Sequence, residues 1–325
     1  MAFEHAGSRE IPINTTAVVF EQPERLALAR LDLSPPGEED VVVDIHWSGI
    51  STGTERLLWS GRMPPFPGMG YPLVPGYESV GRVREAGARS GGRVGDTVFV
   101  PGAKCFGAVR GLFGGAAARL VVPGARVVPV DERLGEEAVL LALAATAYHA
   151  IAPGALRHPD LIVGHGVLGR LLARLTLATG GAPPTVWERN ADRARGGEGY
   201  AVLDPADDAR RDYRSICDVS GDATLLDTLI ARLAPGGEIV LAGFYSEALS
   251  FAFPPAFMRE ARIRVAAQWL DADLRAVKEL AESGRLSLAG LITHRQVAEQ
   301  ADSAYRTAFG DPACLKMILD WRAHA

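Results

Sequence analysis

Between positions 15 and 130 the apolar residues come in short runs, TAVVF, DVVVDIHWSGI, ESVGRVREAG, DTVFVPG and ARLVVPGARVVPV, split from one another by Gly and Pro. Val-rich runs of this length, with turn residues at close intervals, predict the strands of an antiparallel, barrel-like β-domain. One stretch breaks the rhythm. From Trp59 to Glu78 the chain reads WSGRMPPFPGMGYPLVPGYE, too rich in Pro and Gly for a helix or central strand and too aromatic for a solvated linker. It is expected to be an ordered loop lying over something apolar.

The pattern then changes. EEAVLLALAATAYHAIA, Glu136 to Ala152, predicts a long apolar helix, and the strand-like runs LIVGHG, TVWER, SICDVSG and GEIVLAGF that follow alternate with helical segments. Such alternation means βαβ units and a doubly wound parallel sheet of the Rossmann type. The last part offers a short strand, RIRVAAQ, two helices, DLRAVKELAESG and QVAEQADSAYRTAF, and a final strand, KMILDW, that is free to rejoin the first domain. The expected division is a β-rich domain of residues 1–130 and 285–325 around a dinucleotide-binding domain of residues 131–284.

Composition narrows the function classes. The 325 residues are 48% hydrophobic and 22% charged, with a formal charge of −5, so the chain can bury a large core and carries no basic field for nucleic acid. The opening MAFEHAGSREIPIN lacks an apolar signal core, and no stretch of about 18 uninterrupted apolar residues suggests an integral membrane segment; a cytoplasmic protein is expected. Cys105, Cys217 and Cys314 are far apart and build neither a disulfide framework nor a thiolate zinc site.

The most specific local signal is GHGVLG. Gly164 permits a tight turn after the strand, Gly166 lets backbone approach a pyrophosphate, and Gly169 lets the helix pack closely on the sheet. His165, Val167 and Leu168 complete the turn, whose helix start offers free N–H groups and partial positive charge to an anion. Glu188 ends the next strand at the distance where an acid binds the ribose hydroxyls of NAD and repels the 2′-phosphate of NADP; Arg189 beside it leaves NADP as the less favoured option. Ser220, Gly221, Gly243 and Phe244 fall at the carboxyl ends of later strands, where ligands sit.

A β-rich first domain, the helix with ATAYHA, the GxGxxG unit and the C-terminal return together resemble the medium-chain dehydrogenase/reductase superfamily over nearly the whole chain. The resemblance implies a GroES-like barrel beside the Rossmann domain. In the zinc alcohol dehydrogenases of that superfamily the metal ligands lie in two turns, read here as GISTGTE, with Ser51 at the cysteine position, and PGYES, with Tyr77 at the histidine position and Glu78 retained. Hydroxyl and phenol are poor zinc ligands, so no catalytic metal is expected. The structural zinc lobe is reduced to Cys105. The strings GISTGTERLLWSGRMPPFPGMGYPLVPGYESVG and FVPGAKCFGAVRGLFGGAAARLVVPG resemble one branch, the hydroxyethyl-chlorin dehydrogenases of bacteriochlorophyll synthesis. That branch implies oxidation by NAD of a 1-hydroxyethyl group on a tetrapyrrole, a chlorophyllide or bacteriochlorophyllide, to acetyl.

Without a metal, removal of the alcohol proton falls to a general base and hydrogen bonds. Ser51, Thr52, Thr54, Tyr77 and Glu78 are expected to converge at the vacated site, with His149 as the first choice of proton acceptor because an imidazole titrates at about 6.5, and Tyr77 with Glu78 as the second. Glu78 pairing structurally with Arg56 is the competing assignment. Trp59, Met63, Phe66 and Met69, with the prolines among them, would wall a flat apolar ligand or form a homodimer contact. Arg56, Arg62, Lys104 and Arg110 are candidates for the pigment propionate, and His46 or His294 for its magnesium. Two other readings stay open: a zinc-free quinone or enone reductase, and a pigment- or nucleotide-binding protein without catalysis.

Overall fold

The computed structural model describes residues 13–151 and 158–324. The opening stretch 1–12 and Ala152, the last residue of the predicted linking helix, lie outside the described residues.

Two sheets make up the β-rich half. Asn14–Gln22 pairs antiparallel with Arg25–Asp32 and joins the short strands Leu73–Val74 and Arg110–Gly111. The second sheet runs in the order His294–Val297, Met317–Asp320, Asp40–Ile50, Ser79–Ala86, Thr97–Val100, Val128–Pro129, and Arg119–Pro123 also pairs with Asp40–Ile50. Asp40–Ile50 is the hub of this sheet, which is why DVVVDI is apolar on both faces and reads as a continuous run. The strand Arg25–Asp32, RLALARLD, carries Leu, Ala and Arg in helix-forming proportion and its pairing is set by the hairpin rather than by propensity. The final strand does rejoin this half: Met317 lies opposite Ile50 and Asp320 opposite Trp47.

The other half is a six-stranded, all-parallel sheet in the order Ala201–Leu203, Thr185–Trp187, Leu161–Val163, Tyr213–Asp218, Leu233–Leu241, Arg262–Val265. Counting along the chain, that is third, second, first, fourth, fifth, sixth, the doubly wound order with its crevice beside the first strand.

The predicted single helix from Glu136 is in fact two pieces. A 3₁₀ segment, Glu132–Leu140, contains Gly135 at φ 49°, and the α-helix proper is Leu141–Ile151. The stretch Glu132–Ile151 reaches the length and mean hydropathy, 1.2, of a membrane span, but half of it is buried inside the protein. The apolarity has a local cause: Leu141, Ala142, Ala144, Ala145 and Ala147 are fully buried against Val167–Ala178 and Asp271–Glu282. Val80, Phe99 and Ile318 of the barrel share that core, so the two halves are joined by packed side chains.

Candidate active site

The nucleotide wall grows out of one strand, one turn and one helix. Leu161–Val163 is buried, and the chain leaves it through Gly164 at φ +106°, a conformation that favours glycine. A Cβ at Gly169 would collide with the Gly164 carbonyl, so only glycine lets the helix Val167–Ala178 approach this closely. A Cβ at Gly166, in contrast, would meet nothing within 4 Å among the described residues. The helix has no side-chain N-cap and no acidic residue in its first turn, leaving its N–H groups and dipole for a bound anion. The residues present therefore fit a pyrophosphate.

Gly164, His165, Gly166, Val167, Leu168, Gly169, Glu188, Arg189, Ser220, Gly243 and Phe244 all border one cleft of 2020 Å³. Glu188 is fixed there by two backbone donors, the N–H of His165 at 3.2 Å to Oε2 and of Asn190 at 2.9 Å to Oε1. Both ring nitrogens of His165 are engaged within the protein: Nδ1 contacts the Arg193 carbonyl at 2.6 Å, Nε2 the Tyr200 hydroxyl at 2.9 Å, and burial lowers its pKa.

The barrel wall brings together residues from distant segments. Ser51 follows the strand Asp40–Ile50, and its Oγ lies 2.7 Å from the Tyr77 hydroxyl. Tyr77 stands edge-on to Phe113, with ring centroids 5.5 Å apart. Burial, reinforced by the charge of Glu78, pushes the Tyr77 pKa well above the usual phenol value, against hydrogen bonds from Ser51 and Thr54. Thr52, Arg56 and Lys104 line the same wall.

Behind the hydroxyl pair lies a buried charge cluster. Lys316 Nζ donates to Glu78 Oε2 at 2.6 Å and to the Ile50 carbonyl at 3.1 Å, and both side chains are essentially without exposure. Glu55, fully buried, accepts from the Ser51 N–H at 3.0 Å and from the Tyr305 hydroxyl at 2.8 Å. Burial raises its pKa to about 7.

Several expectations are corrected by this geometry. Glu78 does not border the cleft, and it pairs with Lys316, not Arg56. His149 sits near the far end of Leu141–Ile151 with Nδ1 2.8 Å from Asp273 Oδ2, outside the cleft lining, because the helix turns that face toward Asp271–Glu282. Trp59, Met63, Phe66 and Met69 do not line the cleft either: Met63 is in the barrel core, the other three pack against that core, and Trp59 lies against Phe309 at 5.7 Å. The apolar cleft wall comes instead from Phe113, Trp269 and Phe309. Arg62, Arg110, His46 and His294 are also away from the cleft.

Lys316 and Glu55 carry no local sequence signal. Lys316 reaches Glu78 and the Ile50 carbonyl only because the register that sets Met317 opposite Ile50 puts it there. The donor set is unsuited to zinc: a serine hydroxyl and a phenol held protonated, with a buried ammonium in the cleft lining behind them.

Comparison with known proteins agrees with this architecture. Residues 37–132 match the alcohol dehydrogenase GroES-like domain. A short chain alcohol dehydrogenase from E. coli CFT073, complexed with NADH, superposes with TM-score 0.80 at 20% identity, covering 94% of this chain and 99% of that one. The 2-desacetyl-2-hydroxyethyl bacteriochlorophyllide A dehydrogenase of Cereibacter sphaeroides is 61% identical over 96% of this chain and all of its own length, and that of Rhodobacter capsulatus 60% identical over 95% of this chain and 99% of its own. The chain belongs to the family of 2-desacetyl-2-hydroxyethyl bacteriochlorophyllide A dehydrogenases, within the medium-chain dehydrogenase/reductase superfamily.

Proposed function

We propose that this chain oxidises the 1-hydroxyethyl group of a chlorophyllide or bacteriochlorophyllide to acetyl, with NAD as hydride acceptor and no zinc at the reacting centre. The observation that carries this reading is one continuous cleft running from the Gly164–Gly169 turn to the Ser51–Tyr77 hydroxyl pair. The names of the relatives at 61% and 60% identity support the substrate. At 2020 Å³ the cleft exceeds the roughly 300–1,000 Å³ typical of a single small-ligand pocket and suits a dinucleotide beside a macrocycle.

A bound oxidised nicotinamide supplies the hydride acceptor. The backbone at Gly166 and the first turn of Val167–Ala178 hold the pyrophosphate, and Glu188 takes the ribose hydroxyls, which favours NAD over NADP. Ser51 and Tyr77 hydrogen-bond the alcohol oxygen. As the carbinol hydride leaves, the hydroxyl proton passes through this pair to solvent; Tyr77, held protonated, relays it without storing charge. One hydride and one proton leave the alcohol, and a ketone remains. Phe113, Trp269 and Phe309 offer apolar surface to the ring, and the barrel wall, which contributes Arg56, Lys104 and Arg126 but no carboxylate among the described lining residues, suits a propionate.

The test is purified protein with a 3-hydroxyethyl chlorin and either NAD or NADP, followed by the absorption change of the acetyl product. The expected result is turnover with NAD that survives a chelator. A folded, cofactor-binding protein that leaves the pigment unchanged would sink the substrate assignment. NADP preference would overturn the role of Glu188, and chelator inactivation reversed by zinc would overturn the metal-free site.

A homodimer is part of the same reading. Arg262–Val265 is an edge strand, and Val265 at its end and Met258 on the preceding helix Phe253–Met258 are each 74% exposed, an unpaired edge of the kind that pairs with a second copy. Sedimentation should give twice the chain mass, and Val265→Lys should halve it.

A further inference from the structure

Glu55 is a buried titratable group that the mechanism above leaves unused. It lies in the first turn of the helix Thr54–Trp59, whose N-cap Gly53 offers no side-chain cap. Through Oε1 Glu55 reaches back to accept from the Ser51 N–H, and the Ser51 hydroxyl is turned to Tyr77. The carboxylate therefore tethers the backbone from which the Ser51 hydroxyl meets Tyr77. Through Oε2 it also anchors the turn to Tyr305 on the helix Ala301–Gly310.

The charged and titratable groups facing Glu55 come from three other segments: Tyr77 with Glu78, Tyr305, and Lys316. Two carboxylates share one ammonium, and Lys316 is committed to Glu78 at 2.6 Å. Burial raises the Glu55 pKa most strongly and Glu78 adds to it. The hydrogen bonds from Ser51 and Tyr305, and the charge of Lys316, act the other way.

We propose that Glu55 is a positioning residue for alcohol oxidation, which fixes the Ser51 turn and, by its ionisation, sets how readily the Ser51–Tyr77 pair accepts the substrate proton. The inference rests on the assignment of that pair to the alcohol oxygen. Ionised Glu55 adds negative potential behind the pair, making it a better proton acceptor and a poorer donor. Oxidation is faster with Glu55 ionised, and reduction of the ketone is faster with it protonated. The carboxyl is not consumed: the alcohol proton still leaves through the hydroxyl pair to solvent.

The experiment is an NMR titration of the Ser51 backbone amide across neutral pH in the full chain with oxidised cofactor present, alongside the pH profile of kcat for oxidation. The amide should titrate near 7, the value to which Glu55 is raised. In Tyr305→Phe the inflection should move up, because the hydroxyl that favours the ionised form is gone. In Glu55→Gln, which keeps an oxygen acceptor for the Ser51 N–H, it should vanish. The kcat inflection should follow all three, with KM changed by less than about twofold. An amide that is flat near neutrality, or a kcat inflection that persists in Glu55→Gln, overturns the proposal. If the amide titrates as expected but no pigment is oxidised, the substrate assignment fails while the tether and ionisation of Glu55 stand.

Discussion

The two walls of the cleft bind by different means. On the nucleotide wall the contacts on offer are backbone: the open space over Gly166, the close helix approach at Gly169, and the uncapped N–H groups of Val167–Ala178. On the barrel wall they are side chains, the Ser51–Tyr77 pair and the ion pair Lys316–Glu78 behind it. A backbone site is specified by where side chains are missing, and it is disturbed by adding a methyl group. A side-chain site is specified by groups that must stay in balance, and it is disturbed by removing one of them.

That contrast can be broken most forcefully at Lys316. Lys316→Met leaves Glu78 buried without its counter-charge and should cost about 3–5 kcal/mol, read by urea unfolding, with Glu78→Gln in the same chain recovering part of the loss. If Lys316→Met alone unfolds like the parent, the cluster is not a paired charge. Next in size, Ser51→Ala should lower kcat by about 10²- to 10³-fold while the cofactor dissociation constant stays put. Equal loss of cofactor binding would mean the walls are not separable.

Gly166→Ala tests the other side: the fold should be unaffected, since its Cβ meets nothing, but cofactor affinity should fall about tenfold, ~1.4 kcal/mol by calorimetry. Unchanged affinity would remove the pyrophosphate from this turn. The smallest effect is expected from Phe66→Ala, whose ring packs on the barrel core outside the cleft; KM for pigment should change by less than about twofold. A large rise would restore the loop to the substrate site.

How much of this was legible in the sequence follows the same line. The nucleotide wall is written in consecutive residues, so spacing alone placed Gly164, Gly166, Gly169 and Glu188 in the cleft. Ser51 and Tyr77 were found because the two turns that hold them resemble a known pattern at the residue level. His149, in contrast, was assigned from its chemistry, and nothing in a nearly uniform apolar helix says which face meets the cleft and which meets Asp273. The aromatic loop after Trp59 was recognised as ordered and apolar, but apolarity does not distinguish covering a ligand from covering the domain's own core. Lys316 required the pairing of strands far apart in the chain, and the Glu55–Tyr305 bond the docking of a distant helix, which no local window contains.

The late position of Lys316 bears on how the molecule is made. A chain emerging from the ribosome completes the parallel sheet at Val265 and supplies Leu291 and Ile292 to the core around the linking helix before Lys316 and the strand Met317–Asp320 have been synthesised. Folding during synthesis proceeds from the N-terminal side, so the Gly164–Gly169 turn is made before the ammonium that balances Glu78. The charge cluster behind the hydroxyl pair is therefore assembled later than the turn that faces the cofactor.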